Sequence, residues 1–376
     1  MQVLSLTTEN FRNLQNDTVS FSEKMNVIFG DNAQGKTNLI EAIWLFSGAK
    51  SFRGAKDSEM ISFDQEFTSL KMNFSDEQRE QTAEIRFGRG DKKKILLNKV
   101  PLETRSKLSG SFYTVVFSPS HLSIISEAPK NRRRFLDDAI SQINPQYAGY
   151  LRQYEKVLLQ RNTLLKDCFK FPDLRETIEL WDAQLARLGS ILTIYRNDYV
   201  KKLNLAAAKI YSGLSQKKED FSIFYQSTVF DGKKIAKVYD DQTISVYYQS
   251  LCDHLDGDIK LSQTSVGIQR DDLEVLINGK SVKTYGSQGQ KRSCALALKL
   301  AEAVLLQNIT KETPVILLDD VMSELDTHRQ DYILNHVKNS QVFITCCDIS
   351  NTLQLKEGRI FQVEAGKIVP IEAEKL

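Results

Sequence analysis

The spacing of apolar residues changes along the chain, and each change predicts a different kind of structure. Residues 1–46 show the order strand, turn, strand, loop and helix. Residues 65–118 alternate between apolar and polar positions, as at Leu70, Met72 and Phe74. Because side chains of a strand point alternately to its two faces, this alternation predicts an antiparallel sheet.

After Asn131 the apolar spacing is helical for about a hundred residues. Its clearest stretch has apolar positions three and four residues apart, which predicts a coiled-coil-like seam: Ile178, Trp181, Leu185, Leu188, Leu192, Tyr195 and Tyr199. An earlier helix, with Tyr147 and Tyr154 near one face, is the expected antiparallel partner. At 1.5 Å per residue such a hairpin is about 30 Å long, so we expect a lobe of domain size with these aromatic residues in its core.

Residues 262–285 return to a strand pattern. Asn278 and Gly279 between apolar runs are a hairpin signal. The aliphatic run at 315–318 predicts a strand buried on both faces, and the run at 342–345 predicts a strand beside it.

The loop after the apolar run 27–29 carries the first candidate chemistry. It spells G-x-x-x-x-G-K-[ST] without departure, in the residues Gly30, Asp31, Asn32, Ala33, Gln34, Gly35, Lys36 and Thr37, and a helix is predicted from Asn38. Such a P-loop directs backbone N–H groups and the positive end of the helix dipole at phosphates. We therefore expect Lys36 to reach the β- and γ-phosphates of ATP and the Thr37 hydroxyl to ligate Mg²⁺.

Two carboxylates follow the buried strand at 315–318. In a parallel sheet the end of this strand lies beside the P-loop, so Asp319 is the expected Mg²⁺ carboxylate. Asp320 is the candidate group that polarises the attacking water or accepts its proton. An ordinary turn or helix-cap aspartate is the alternative for Asp320.

A third element precedes an apolar-rich helix and consists of Ser287, Gln288, Gly289 and Gln290. A serine cap with a glycine in the first turn suits an anion, although a plain N-cap is the alternative. The segment is similar to the signature motif of ABC-type ATPases. That resemblance implies that Ser287 closes over the γ-phosphate bound by a second copy of the chain, and Ser323 to Asp326 resemble the D-loop of the same superfamily.

Composition sets limits on partners and compartment. The 50 Lys and Arg residues and 48 Asp and Glu residues give a formal net charge of +2, so a nucleic-acid surface must be a local patch. The 5 cysteines and 4 histidines do not have the spacing of a metal site. An odd number of cysteines, with no signal peptide and no apolar stretch near the length of a bilayer, predicts a reduced cytoplasmic protein away from membranes.

Several segments, in order, resemble the RecF family. They are Asn10, Phe11, Arg12 and Asn13; residues 30–43 with Asn38; residues 129–137 with Arg132, Arg133 and Arg134; Trp181 and Asp182; Arg270, Asp271, Asp272 and Leu273; and residues 317–326. The resemblance covers essentially the whole chain. It implies an α/β fold, an ABC-type P-loop ATPase head with mixed sheets like that of SMC proteins, divided between 1–128 and 259–376, with the inserted helical lobe at 129–258.

The same resemblance implies a function in recombinational repair and replication-fork maintenance. Its members dimerise on ATP, hydrolyse it weakly in a DNA-dependent manner, bind double-stranded DNA and single-strand/double-strand junctions, and act with RecR, RecO and RecA at single-strand gaps. Arg12 would contact a nucleotide phosphate, and the Thr345 hydroxyl or Asp348 would replace the histidine switch of transporter ATPases. Where members commonly have Gly-Pro-His-Arg-Asp-Asp, this chain has Gly267, Ile268 and Gln269 before Arg270, so roles of the missing residues are not carried over.

Other functions remain alternatives on the sequence. An ATP-binding DNA clamp with little hydrolysis is the nearest, ahead of a transporter ATPase subunit and of an overcoming-lysogenisation-type ATPase with a nuclease. We expect turnover well below that of transport ATPases, because Asp320 is one methylene shorter than the glutamate of many ABC enzymes. Candidate DNA patches are Lys130 with Arg132 to Arg134, Lys92 to Lys94, and Lys201 with Lys202, each of which could instead be a solvated or ion-paired face.

Overall fold

The computed structural model of the protein describes residues 1–90, 93–168, 171–232, 234–348 and 358–371. In chain order the strands are β1 (Gln2–Glu9), β2 (Asp17–Ser20), β3 (Met25–Phe29), β4 (Phe67–Ser75), β5 (Glu80–Gly88), β6 (Lys94–Leu97), β7 (Val100–Leu102), β8 (Thr114–Phe117), β9 (Phe221–Gln226), β10 (Asp272–Ile277), β11 (Lys280–Ser281), β12 (Val315–Leu318), β13 (Val342–Cys346), β14 (Arg359–Glu364) and β15 (Lys367–Ile371). The α-helices are α1 (Lys36–Trp44), α2 (Pro119–Leu122), α3 (Pro129–Ile143), α4 (Pro145–Cys168), α5 (Ile178–Leu214), α6 (Asp241–Leu261), α7 (Val282–Tyr285), α8 (Gln288–Thr310) and α9 (Thr327–Val337). Short 3-10 helices lie at Leu45–Ser47, Asp57–Met60, Arg105–Leu108, Pro172–Thr177 and Met322–Glu324.

The chain forms two compact units. The first comprises Met1–Ser123 and Ala295–Leu376, and the second comprises Ile124–Cys294. The sequence interpretation returned the chain to the head at residue 259, whereas the second unit continues to Cys294 because β10 pairs with both β9 and β11 in a three-stranded sheet there.

A mainly parallel sheet organises the first unit, in the order β15-β14-β3-β13-β12-β8. Strands β14, β3, β13, β12 and β8 run parallel to one another, whereas β15 pairs antiparallel with β14 at the edge; β13 is confirmed as the strand beside β12. The alternating segment 65–118 was predicted to be wholly antiparallel, but its last strand, β8, pairs in parallel with β12. All residues of β8 are buried, as in a strand covered on both faces, so it belongs in the parallel sheet.

An antiparallel sheet completes the first unit, in the order β2-β1-β4-β5-β6-β7. Along β4 the side chains alternate between buried and more exposed, and Leu70, Met72 and Phe74 face the core as predicted. They share one apolar cluster with residues of both sheets and of α1, including Trp44, Leu317 and Phe343.

Long antiparallel helices dominate the second unit, with α5 packed against α4 and α6. Helix α5 has 37 residues, so at 1.5 Å per residue it is about 55 Å long, longer than the predicted hairpin. The predicted seam is only partly right, because Ile178, Leu185, Leu192 and Tyr199 are buried whereas Trp181, Leu188 and Tyr195 are partly exposed. Polar residues of α5, described below, occupy part of the buried face.

Strand β9 was not predicted, since it lies inside the segment that was interpreted as helical. It pairs with β10 along its whole length. The hairpin between β10 and β11 is confirmed, and both turn residues have positive φ, 49° at Asn278 and 73° at Gly279. Left-handed backbone at both central positions is the geometry of the type I′ turn that Asn-Gly favours.

Candidate nucleotide site

The P-loop has a backbone that requires its two glycines. It connects β3 to α1, and φ is 149° at Gly30 and 122° at Gly35, in the region that side chains disfavour. A Cβ atom on Gly30 would lie 2.3 Å from the carbonyl oxygen of Val363, and one on Gly35 would lie 2.9 Å from Asn13 Oδ1. Asp31, Asn32 and Ala33 are exposed at the loop's outer edge, and α1 begins at Lys36, before the predicted Asn38.

The side chain of Lys36 folds back over the P-loop toward the residues at its start. Its Nζ donates hydrogen bonds to the carbonyl oxygens of Gly30 (2.5 Å) and Asp31 (2.9 Å) and lies 3.6 Å from Cys347 Sγ. The Cys347 thiol also donates to Asn32 Oδ1 at 3.1 Å. Lys36 as a residue is 7% exposed, and its ammonium is held at the loop by the backbone carbonyl oxygens of Gly30 and Asp31.

The two halves of the site meet at Thr37 and Asp319, which are 282 residues apart in the chain. Thr37 Oγ1 donates to Asp319 Oδ1 at 2.8 Å, and Thr345 Oγ1 donates to the same oxygen at 3.1 Å. Burial raises the pKa of Asp319, and the hydroxyls of Thr37 and Thr345 oppose this shift by stabilising the carboxylate. A hydroxyl and a carboxylate are hard oxygen ligands, so this pair fits Mg²⁺.

Asp320 has a strained backbone at the same cavity. Its φ is 52°, a left-handed conformation that costs a non-glycine residue about 1 kcal/mol or more. Its N–H donates to Thr345 Oγ1 at 2.8 Å, and its carboxylate accepts from the Ser323 hydroxyl at 3.2 Å. Asp320 and Thr345 both line the cavity. The catalytic role of Asp320 stays a prediction, and so does the choice between the Thr345 hydroxyl and the Asp348 carboxylate as the group near the γ-phosphate.

Arg12 lies at the cavity but is bound to a buried acid. Its guanidinium donates to both carboxylate oxygens of Glu41, at 3.0 and 3.2 Å, and to the carbonyl oxygen of Glu59 at 2.8 Å. Glu41 is fully buried on α1. Arg12 also adopts a positive φ of 53°. The predicted phosphate contact of Arg12 therefore stays a prediction, and Arg12 has a structural partner that the sequence did not reveal.

Arg53 is a candidate that the sequence analysis missed. Its Nη1 donates to Asn38 Oδ1 at 2.8 Å and lies 3.8 Å from Glu41, and its side chain is 45% exposed. It lines the same cavity of about 870 Å³ as Asn32, Lys36, Thr37, Asp320 and Thr345. A cavity of this size accommodates a nucleotide. A single arginine outside any motif gives no signal in one sequence, so only the fold identifies it.

The turn between β14 and β15 supports the P-loop. This contact was not predicted from the sequence. Gln34 Oε1 accepts a hydrogen bond from the N–H of Ala365 at 2.6 Å, and the Gln34 carbonyl accepts from the N–H of Gly366 at 3.0 Å. A Cβ atom on Gly366 would lie 1.8 Å from the carbonyl oxygen of Asn13, so only glycine fits against the loop there. Gln34 is therefore positioned by the C-terminal hairpin.

The signature segment begins α8 in the second unit. The N–H of Ser287 donates to Gln290 Oε1 at 2.9 Å, and the N–H of Gln290 donates to Ser287 Oγ at 3.2 Å, which is a reciprocal capping box. Ser287, Gln288 and Gly289 are exposed. The predicted cap is confirmed, and the predicted contact with nucleotide on a second copy stays a prediction.

Gln290 is oriented by an acid that follows α5. Its Nε2 donates to Glu219 Oε1 at 2.7 Å, and the Tyr211 hydroxyl donates to Glu219 Oε2 at 2.5 Å. The side-chain amide of Gln290 thus accepts a hydrogen bond from Ser287 through its oxygen and donates one to Glu219 through its nitrogen. Sequence spacing gave no reason to associate Glu219 with the signature.

The candidate DNA patches have different surroundings. Arg132 is 2% exposed and forms two hydrogen bonds with Asp272, at 2.7 and 2.9 Å, so it is structural and its prediction as a DNA contact is wrong. Arg134 pairs with Asp138 along α3, the alternative considered from the sequence. Lys93 pairs with Asp57, and Lys92 lies outside the described residues.

Comparisons with known proteins agree with this geometry. The family model of the RecF/RecN/SMC N-terminal domain matches residues 2–366. The DNA replication and repair protein RecF of Ruminiclostridium cellulolyticum is 39% identical over 372 residues, which are 98% of this chain and 99% of that protein. Solved structures of the recombination mediator protein RecF in the RecFOR pathway, one with ATPrS and one with ATP, have TM-scores of 0.92 and 0.87 at 36% and 38% identity. They cover 98% of this chain, and the matches cover 98% and 99% of theirs.

The ABC-type head fold is shown by these matches. Among the described helices, none combines the length and the apolar character needed to cross a membrane.

Proposed function

The chain belongs to the RecF family of DNA repair ATPases, and we propose that it uses ATP to join two copies of itself on DNA at single-strand gaps. The observation that carries the ATP-binding part of the proposal is the hydrogen bond between Thr37 and Asp319. It brings the P-loop and the acidic strand end together at a cavity large enough for a nucleotide.

In this proposal ATP lies along the P-loop with its phosphates at the start of α1. Lys36 would exchange its two carbonyl acceptors for the β- and γ-phosphates, and Thr37 and Asp319 would hold Mg²⁺. When bound, Mg²⁺ neutralises charge on the phosphates. Asn32, Asn38 and the other loop residues contribute backbone and amide groups around them.

Hydrolysis is proposed to be slow. Asp320 orients the attacking water, but its carboxylate is short and is already bound by the Ser323 hydroxyl. Multiple-turnover phosphate release tests this directly. Turnover of hundreds per second would contradict a switch, whereas a single turnover per chain would favour the alternative, an ATP-binding DNA clamp with little hydrolysis.

Dimerisation is proposed to follow from the signature. Ser287 caps α8 and is exposed, so it would contact the γ-phosphate held by another copy. The binding energy of ATP would then close the dimer, and hydrolysis would reopen it. We infer that the DNA is duplex or a single-strand/double-strand junction, that RecR is a direct partner with RecO and RecA in the pathway, and that the protein acts in the cytoplasm. RecFOR membership of the solved relatives supports this pathway.

Light scattering with and without Mg-ATP tests the composite site. Lys36→Ala should abolish ATP binding, whereas Ser287→Arg should retain ATP binding and remain monomeric. Gln249→Arg, on the exposed face of α6, is the matched control and should dimerise like the parent chain. Dimerisation of the Ser287→Arg chain would refute the role in trans and leave the P-loop assignment intact.

A further inference from the structure

A second cavity lies within the second unit and has no part in the proposed nucleotide site. Its volume is about 690 Å³, and it lies beside α5 and the segment that follows β9. Among the residues that the structure describes, three cationic side chains line it: Lys201 on α5, Lys234 and Arg270. A cavity of this size is within the range of small-ligand sites.

The three cations Lys201, Lys234 and Arg270 have no carboxylate partner among the residues that the structure describes. The Nε of Arg270 donates to the Thr264 carbonyl oxygen at 3.1 Å. The neighbouring Lys202 differs, because it pairs with Asp198 at 2.7 Å. Three positive charges therefore converge on one concavity.

The acidic residues of the lining do not cancel this charge. Asp272 accepts from Nε and Nη2 of the buried Arg132, at 2.7 and 2.9 Å, so its charge is already compensated. Asp231 is the other carboxylate and is exposed. The lining thus keeps an excess of positive charge.

Neutral donors and a fixed backbone complete the cavity. Ser227 Oγ accepts from the N–H groups of Val229 and Phe230, each at 3.3 Å, which leaves its proton for a ligand. Buried Asp271 accepts from the N–H and hydroxyl of Thr228, at 2.7 and 2.9 Å, and from the Tyr225 hydroxyl. These bonds hold the cavity wall in place before any ligand arrives.

The amide side chains of Asn197 and Gln226 also line the cavity. Cations with hydroxyl and amide donors around a polar concavity are the chemistry that recognises phosphate. We propose that this cavity binds phosphate groups, carried either by a free small ligand such as pyrophosphate or by a nucleic-acid backbone. The nucleic-acid source rests on the DNA binding proposed above, and the free-ligand source does not.

The first arm of the test measures duplex DNA binding by fluorescence anisotropy across a salt series, with a non-hydrolysable Mg-ATP analogue. The double variant Lys201→Gln with Lys234→Gln removes two cavity charges, and Lys166→Gln with Lys260→Gln removes two exposed charges of the same unit as a control. Each phosphate contact contributes about 0.9 to the slope of log K against log salt on B-DNA, so the cavity variant should lose about 2 of slope and the control should not.

The second arm titrates pyrophosphate calorimetrically into the full chain carrying Lys36→Ala, which removes the P-loop contribution. Adding the cavity substitutions should abolish the heat of binding, and adding the control substitutions should not. An effect in the DNA arm identifies backbone phosphates, and an effect in the pyrophosphate arm identifies a free ligand. If the cavity and control variants behave alike in both arms, or if neither probe binds, the proposal is overturned. Absence of DNA binding with pyrophosphate binding intact would instead count against the proposed function alone.

Discussion

The two units of this chain bury different chemistry. The interior of the first is an apolar cluster in which the largest fully buried side chains include Phe11, Phe74 and Trp44. In the second, the largest fully buried side chains include Arg161, Arg196 and several tyrosines. An apolar core needs only volume and pattern, whereas buried charges need partners at defined distances.

The second unit meets that requirement with paired residues from distant segments. Arg161 on α4 bonds Asp182 on α5 at 2.5 Å and Asp258 on α6 at 2.6 Å, and all three are at most 2% exposed. Arg196 bonds Asp137 on α3 at 2.8 Å and the Ile268 carbonyl oxygen at 2.7 Å. The pairs therefore specify which helices lie together, a role that apolar contacts fulfil less selectively.

Among the substitutions considered, removing Arg161 should cause the largest loss of unfolding free energy. Arg161→Met leaves two buried carboxylates without a cation, and we expect a loss of about 3–5 kcal/mol of unfolding free energy in the second unit. Urea unfolding followed by Trp181 fluorescence, in a chain with Trp44→Phe, reports that unit. Arg175→Met is the control, because Arg175 pairs with Asp256 on the same helix α6 but both side chains are more than half exposed; it should cost less than about 1 kcal/mol. Equal losses in the two variants would show that burial does not decide the effect.

A substitution that leaves a void in the apolar core of the first unit should lower the unfolding free energy somewhat less. Leu70→Ala removes a fully buried side chain of the apolar cluster, and we expect a loss of about 3 kcal/mol. Trp44 fluorescence in a chain with Trp181→Phe reports this unit. Val100→Ala, at a position 59% exposed on β7 of the same unit, should change the stability by less than about 0.5 kcal/mol. A loss below about 1 kcal/mol for Leu70→Ala would mean that the apolar core collapses around the missing side chain.

The smallest effect is expected where the second unit supports the signature. Glu219→Ala removes the acceptor that orients Gln290, and we expect the Mg-ATP-dependent dimer to weaken roughly tenfold, about 1.4 kcal/mol. Glu219→Gln keeps an oxygen acceptor and should restore dimerisation to within about twofold. ATP binding by the monomer should be the same in both variants, since the P-loop lies in the other unit. Equal dimerisation by the alanine and glutamine variants would argue that Glu219 has no positioning role.

Contiguous motifs and strong periodicity were predictable from the sequence alone. The P-loop, the buried strand before Asp319, the Ser287 cap and the Asn278-Gly279 turn depend on residues close together in the chain, so local conformational preferences are enough to identify them. The alternating burial of Leu70, Met72 and Phe74 followed for the same reason.

Only the tertiary structure decided what depends on two distant segments. It moved β8 into the parallel sheet, paired β9 with β10, and turned Asp182 and Arg196 toward the core, where a helical pattern expects apolar residues. The folded chain also pairs Arg132 with Asp272 and Arg12 with Glu41, and it places the Ala365 N–H against the Gln34 side chain. From sequence alone, a charged or isolated polar residue is predicted to be exposed to solvent. The partner that compensates its burial is brought close only by the folding of the chain.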